Sequence, residues 1–93
     1  MSEPQLLAAY RNILIQFARH YVTMLELAKN IKAEARNETE GGRISGLFCH
    51  ARVINRRAAM LKDLLLEDSA SLRQFFKTTN LHEIAKQSVT LES

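Results

Sequence analysis

Residues 5–35 read QLLAAYRNILIQFARHYVTMLELAKNIKAEA, and neither glycine nor proline interrupts them. Within this stretch Leu7, Tyr10, Leu14, Phe17, Tyr21, Met24, Ala28, Ile31 and Ala35 follow one another at alternating steps of three and four. Apolar residues repeating on average every 3.5 positions form a line along one side of an α-helix, the mark of a helix that packs lengthwise on another. The stretch therefore predicts one long rod. Its start is written in Ser2-Glu3-Pro4-Gln5. Ser2 can accept from the Gln5 backbone while the Gln5 side chain reaches back, and proline is tolerated in a first turn, where its missing N–H has no helical partner.

Beyond the rod, residues 37–42 are polar and end in Gly41-Gly42, which predicts a left-handed helix end and a short turn. A second line then begins: Ile44, Leu47, Ala51, Ile54, Ala58, Leu61 and Leu65 predict a helix over about 43–67. A short connection between two long helices makes them antiparallel, so the numbers of opposed residues add to a constant, here about 79. That register sets Phe17 against Leu61, Met24 against Ile54, Ile31 against Leu47, Tyr21 against Ala58 and Ala28 against Ala51. Asp68 or Ser69 can cap a short helix over 70–78 carrying Leu72, Phe75 and Phe76. Asn80 with Glu83 can open another over 81–88, and 89–93 should fray. The expected fold is all-α: a long antiparallel helical hairpin plus two short C-terminal helices, a small helical bundle in a single domain spanning 1–93.

The bulk properties agree with one small globular unit: 93 residues, 46% apolar, 25% charged. A chain this short buries roughly 60–65% of its unfolded surface, so its own core is marginal and a partner subunit would help it. Cys49 is the only cysteine and cannot form an internal disulfide, which points to a reducing compartment. The first residues lack a basic, apolar export signal, and no stretch approaches the ~20 apolar residues of a membrane span, so a cytoplasmic location is expected. Asn37-Glu38-Thr39 matches a glycosylation sequon only by chance in that setting. A net charge of +3 permits a nucleic-acid partner without arguing for one.

The faces of the first helix are more informative. Beside its line lie Leu6, Ile13 and Leu27 on one flank, Ala18 and Leu25 on the other, and Ile15 with Val22 further round. The apolar arc is roughly 200°, against the ~100° of an ordinary surface helix. The C-terminal helices, with Phe75 and Phe76, can cover part of the second flank. They are short beside a rod of ~50 Å at 1.5 Å per residue. Ile15, Val22, Leu25, Phe75 and Phe76 are therefore the expected contacts for another protein or a second copy of the chain. On the second helix Arg52, Arg56, Arg57 and Lys62 make a candidate basic patch that could receive phosphates, or else a solvated face.

Catalytic chemistry finds little support. The register separates His20 from His50 by about nine residues along the bundle, ~14 Å, too far to share a metal ion. Cys49 and His50 are neighbours on a helix and point about 100° apart, which does not suit a nucleophile and its base. Gly41-Gly42 and Gly46 lack the strand, lysine and spacing of a phosphate loop. His50 is followed by Ala51-Arg52-Val53-Ile54, without the lysine and glycine of a histidine phosphotransfer module. Arg43 and His50, with six residues between them, resemble the arginine-to-histidine motif of HEPN-type helical ribonucleases. That resemblance covers two residues and implies a histidine base and a phosphate-binding arginine at a dimer interface. Tyr10-Arg11 within Leu7–Leu14 resembles the leucine-tyrosine-arginine signature of small mitochondrial assembly factors, with Ala9 in place of the leucine.

The function expected from these residues is a small non-enzymatic protein–protein interaction module, an adaptor, chaperone-like or regulatory subunit, binding through the apolar flank of the first helix. The alternative is a nucleic-acid-associated regulator using the basic face of the second, and behind it a HEPN-like ribonuclease. No cofactor, metal ion or small-molecule substrate is called for.

Overall fold

The computed structural model describes residues 2–89, which form four helices: α1 (Glu3–Arg36), α2 (Gly41–Glu67), α3 (Ser69–Phe76) and α4 (Leu81–Ala85). The architecture is the all-α helical bundle expected, elongated to 56 × 25 × 21 Å by its hairpin of α1 and α2. The predicted capping box opens α1, with the Ser2 N–H donating to Gln5 Oε1 (2.9 Å) and the Gln5 N–H to Ser2 Oγ (3.4 Å). α4 begins similarly, the His82 N–H donating to Asn80 Oδ1 at 3.0 Å. Of the tail expected to fray, 90–93 lie outside the described residues.

The hairpin turn departs from expectation. Gly41 and Gly42 are the first residues of α2, and no described glycine has a positive φ. α1 ends at Asn37 in right-handed geometry. Glu38 replaces the left-handed cap: its carboxylate accepts the N–H groups of Thr39 (3.0 Å) and Glu40 (3.3 Å) and pairs with Arg43 at 2.9 Å. A side chain that satisfies the turn's donors removes the need for a left-handed residue. The left-handed position falls instead at Lys77, φ 62°, which ends α3.

Packing follows the predicted register. Leu14, Tyr21, Ala28 and Ala35 on α1, and Ala51, Ala58 and Leu65 on α2, are buried at intervals of seven. The bond from Tyr10 to Asp68 ties the two helices at numbers adding to 78, so Leu14 falls about level with Leu65, Tyr21 with Ala58, and Ala28 with Ala51. Alanines along this seam allow the two rods to approach closely. The rest of the expected core line on α1, Leu7, Tyr10, Phe17, Met24 and Ile31, is not buried; Phe17 is 47% exposed. Two helices can shield only the line between them. The adjacent line sits at the rim and is buried only if another layer covers it.

Such a layer exists on one side of the hairpin. Ile15, Ala18, Leu72, Leu81 and Ile84 join Leu14, Tyr21, Ala58 and Leu65 in one core cluster, with Val22, Leu25, Phe75, Phe76 and Val89 packed against it. Arginines on α1 hold the end of this cover. Arg19 donates to the carbonyls of Ala85 (Nε, 2.9 Å) and Gln87, and Arg11 to that of Ser88 at 3.1 Å. The Arg11 guanidinium also lies 5.2 Å over the Phe76 ring. Cations at the last carbonyls of a helix satisfy acceptors the helix itself leaves open.

Candidate interaction surface

Ile15 was the leading contact expected from the sequence, and the structure corrects it. Its side chain is fully buried within the chain, and Val22, Leu25, Phe75 and Phe76 are half-buried around it. The reason is local: α4 is only five residues long, but it lies on the flank that carries Ile15 and Ala18. Ile15 is thus not presented at the surface, and the other four are presented only in part.

The uncovered flank is the opposite one. On α1, Leu6, Tyr10, Ile13, Phe17, Met24 and Leu27 recur at three- and four-residue steps with His20 in the one polar position. Leu6, Ile13 and Leu27 are 55%, 43% and 48% exposed. On α2, Leu47, His50, Ile54, Arg57, Leu61, Leu64 and Asp68 follow the same alternation, offset from the buried Ala51-Ala58-Leu65 line. Leu64 is 61% exposed and Met60, on the shoulder, 60%. Between the helices runs a groove made of two hollows. One, of about 230 Å³, is lined by Tyr10, Phe17, Leu61, Leu64 and Asp68; the next, of about 310 Å³, by His20, Met24, Arg57, Met60, Leu61 and Leu64. Leu61 and Leu64 line both, so the groove is continuous.

Asp68 closes the lower end. Its Oδ2 accepts a hydrogen bond from the Tyr10 hydroxyl, and this bond, with further bonds from Ser71, holds its carboxyl below the usual 3.8. The same bond raises the Tyr10 hydroxyl above its ordinary 10.0, since the donor must stay protonated to keep it. Tyr10 in turn meets the Phe75 ring edge-on at 6.1 Å, and Phe75 meets Phe76 likewise at 6.1 Å.

Of the predicted basic patch, Arg52, Arg56, Arg57 and Lys62 are all exposed on α2, and Arg52 and Arg56 lie one turn apart on one face. Arg57 lines the apolar groove beside His20, whereas Lys62 lines a separate hollow of about 410 Å³ with Tyr21, Leu66 and the 78–82 segment. Another cationic cluster forms from residues the sequence reading passed over: Lys29, Lys32 and Arg36 line a hollow of about 290 Å³ with Leu25 and Asn55. The spacing of these three, one and two turns apart on a helix, was legible in the sequence.

Arg43 is engaged at the turn by Glu38 and, at 3.7 Å, by Glu34. Among the described residues no group of His, Cys, Asp and Glu could hold a metal ion, and no helix is long and apolar enough to cross a membrane. Comparison of the chain with family models, curated proteins and solved structures gives no match.

Proposed function

We propose that this protein is a non-enzymatic interaction module that binds another helical layer on the open face of its hairpin. The observation that carries this reading is the unpartnered line from Leu6 to Leu27 on α1, set beside Leu61 and Leu64 on α2. A 3.5-residue apolar repeat is the signature of a helix packed lengthwise on others, and here it continues on the side that none of the described elements covers. An adaptor or regulatory subunit needs such a surface and no catalytic set. The exposed, unpaired thiol of Cys49 suits a reducing compartment such as the cytoplasm.

The test uses Phe17→Lys with Leu64→Lys, both at exposed positions, so that the fold survives. Helicity and thermal unfolding should stay close to the native values, while the proteins recovered with the tagged chain from its own cells are lost. A doubly substituted chain that retains every native association overturns the reading.

A second reading rests on Lys29, Lys32 and Arg36, which face one hollow and are in no ion pair among the described residues. We propose phosphate-backbone contact there as the nucleic-acid alternative. Binding should weaken with salt at a logarithmic slope of roughly 3, one counterion for each cation. A low-salt gel shift with no retarded DNA or RNA removes it.

A further inference from the structure

The open face is two helices wide, so its natural complement is a layer of two helices, and this chain is one. Its residues also match themselves when turned end for end. On α1 the apolar positions are symmetric about Phe17: Leu6 lies as far before it as Leu27 lies after, within one residue, and Tyr10 lies as far before it as Met24 after. On α2, with the hairpin register tied by the Tyr10 to Asp68 bond, the same centre lies between Leu61 and Leu64. It places Arg57 as far to one side as Asp68 to the other. One two-fold axis, lying between the layers and crossing both helices at right angles, therefore satisfies α1 and α2 together. This coincidence is not required by the fold of the single chain.

We infer that the open face binds a second copy of this protein, antiparallel and centred on Phe17, to make a four-helix layer pair. Phe17 then meets its own copy on the axis, Leu6 meets Leu27 of the other copy, Tyr10 meets Met24, and Leu61 meets Leu64. Arg57, which has no ion pair among the described residues, reaches the acidic end at Asp68 of the other copy. Arg57 and Asp68 thus find opposite charge, and His20 falls opposite Ile13. An isologous contact requires self-complementarity of this kind: if one residue meets a second, the second meets the first.

The area is sufficient. The exposed parts of Leu6, Tyr10, Ile13, Phe17, Leu27 and Leu64, with Met60 on the shoulder, amount to roughly 700 Å² per copy when large apolar side chains present on the order of 200 Å² each. A standard stable interface takes about 800 Å² from each partner. Half-buried Met24 and Leu61 supply more.

This inference rests on the interaction-module reading, and one set of measurements separates the two. Light scattering and sedimentation of the full chain across the micromolar range should give a dimer, and Phe17→Lys a monomer of native helicity. In a Cys49→Ser background, Phe17→Cys should oxidise to a covalent dimer. Leu6→Cys alone should not, but Leu6→Cys with Leu27→Cys in one chain should, because disulfide closure needs Cα atoms within about 7 Å. A native chain that stays monomeric overturns the self-association. So does a Leu6→Cys variant that crosslinks while Phe17→Cys does not, since that pattern means another alignment. If the monomer still loses a cellular partner on Phe17→Lys with Leu64→Lys, the module reading stands without the dimer; if no association changes, both fall.

Discussion

Tyr10 donates its hydroxyl hydrogen bond to Asp68, tying the third turn of α1 to the junction where α2 passes into α3. The carboxyl is held below its ordinary value and the hydroxyl above its own, and both shifts have this bond as their first cause. The bond therefore exists in full only between two titrations. Asp68 contributes stability above its unfolded value of 3.8 that is lost as pH falls through its lower folded value. Tyr10 contributes below its unfolded value of 10.0 and loses that contribution as pH rises through its higher folded value. Tyr10→Phe should lower the melting temperature at neutral pH, and the gap from the native chain should close at both extremes. A gap that is constant from acid to alkali would mean the bond is not maintained in solution.

Burial of Ile15 makes a sharp claim about which flank of α1 belongs to the core. Ile15→Ala should cost about 2–4 kcal/mol in urea unfolding, the range for a truncated, fully buried aliphatic side chain. Ile13→Ala, 43% exposed two residues earlier, should cost under about 1 kcal/mol in the isolated chain. Equal costs at the two positions would contradict the placement of α4.

The contrast between Ile13 and Ile15 also shows what sequence patterning can reach here. The long rods, their register and the caps at Ser2 and Asn80 follow from spacing and side-chain chemistry, because those are local properties or nearly so. The apolar excess on α1 was equally legible. Which half of that excess is covered was not, since it depends on where five residues of α4 settle, and a short helix has no long periodic signature to aim it. The same holds at the turn, where Glu38 supplies the bonds that the glycine pair was expected to make unnecessary. Of the basic residues that the sequence places on the outward side of α2, all are exposed, but Arg57 and Lys62 line different hollows, a distinction that depends on what packs beside each.

Arg19 anchors the C-terminal cover by donating to the carbonyl of Ala85, the last residue of α4, and to that of Gln87 just beyond it. Because the arginine is exposed, its effect should be local: Arg19→Met keeps the stem but removes the donors. Amide hydrogen exchange across 81–89 should quicken by about tenfold, equivalent to about 1.4 kcal/mol, with α1 and α2 amides near Ala28 and Ala51 unchanged. Uniform acceleration over the whole chain would show instead that α4 and the hairpin open as one unit.

Close approach of the rods depends on small side chains along the seam. Ala51 is fully buried and Ala28 nearly so, and the register sets them level. Ala51→Leu inserts a branched side chain where the facing residue cannot yield, and overpacking of this kind costs about 1–3 kcal/mol. Gly46 is the opposite case on the same helix: a Cβ built there meets nothing within 4 Å, and its φ is not positive. Gly46→Ala should therefore stabilise the chain by about 0.5–1 kcal/mol, through the lower entropy of the unfolded state and the better helix propensity of alanine. The two substitutions lie five positions apart on α2 and change the chain in opposite senses. Measuring both by urea unfolding would test the facing of α2 independently of any partner, since only a helix turned as described makes one position intolerant of added bulk and the other improved by it.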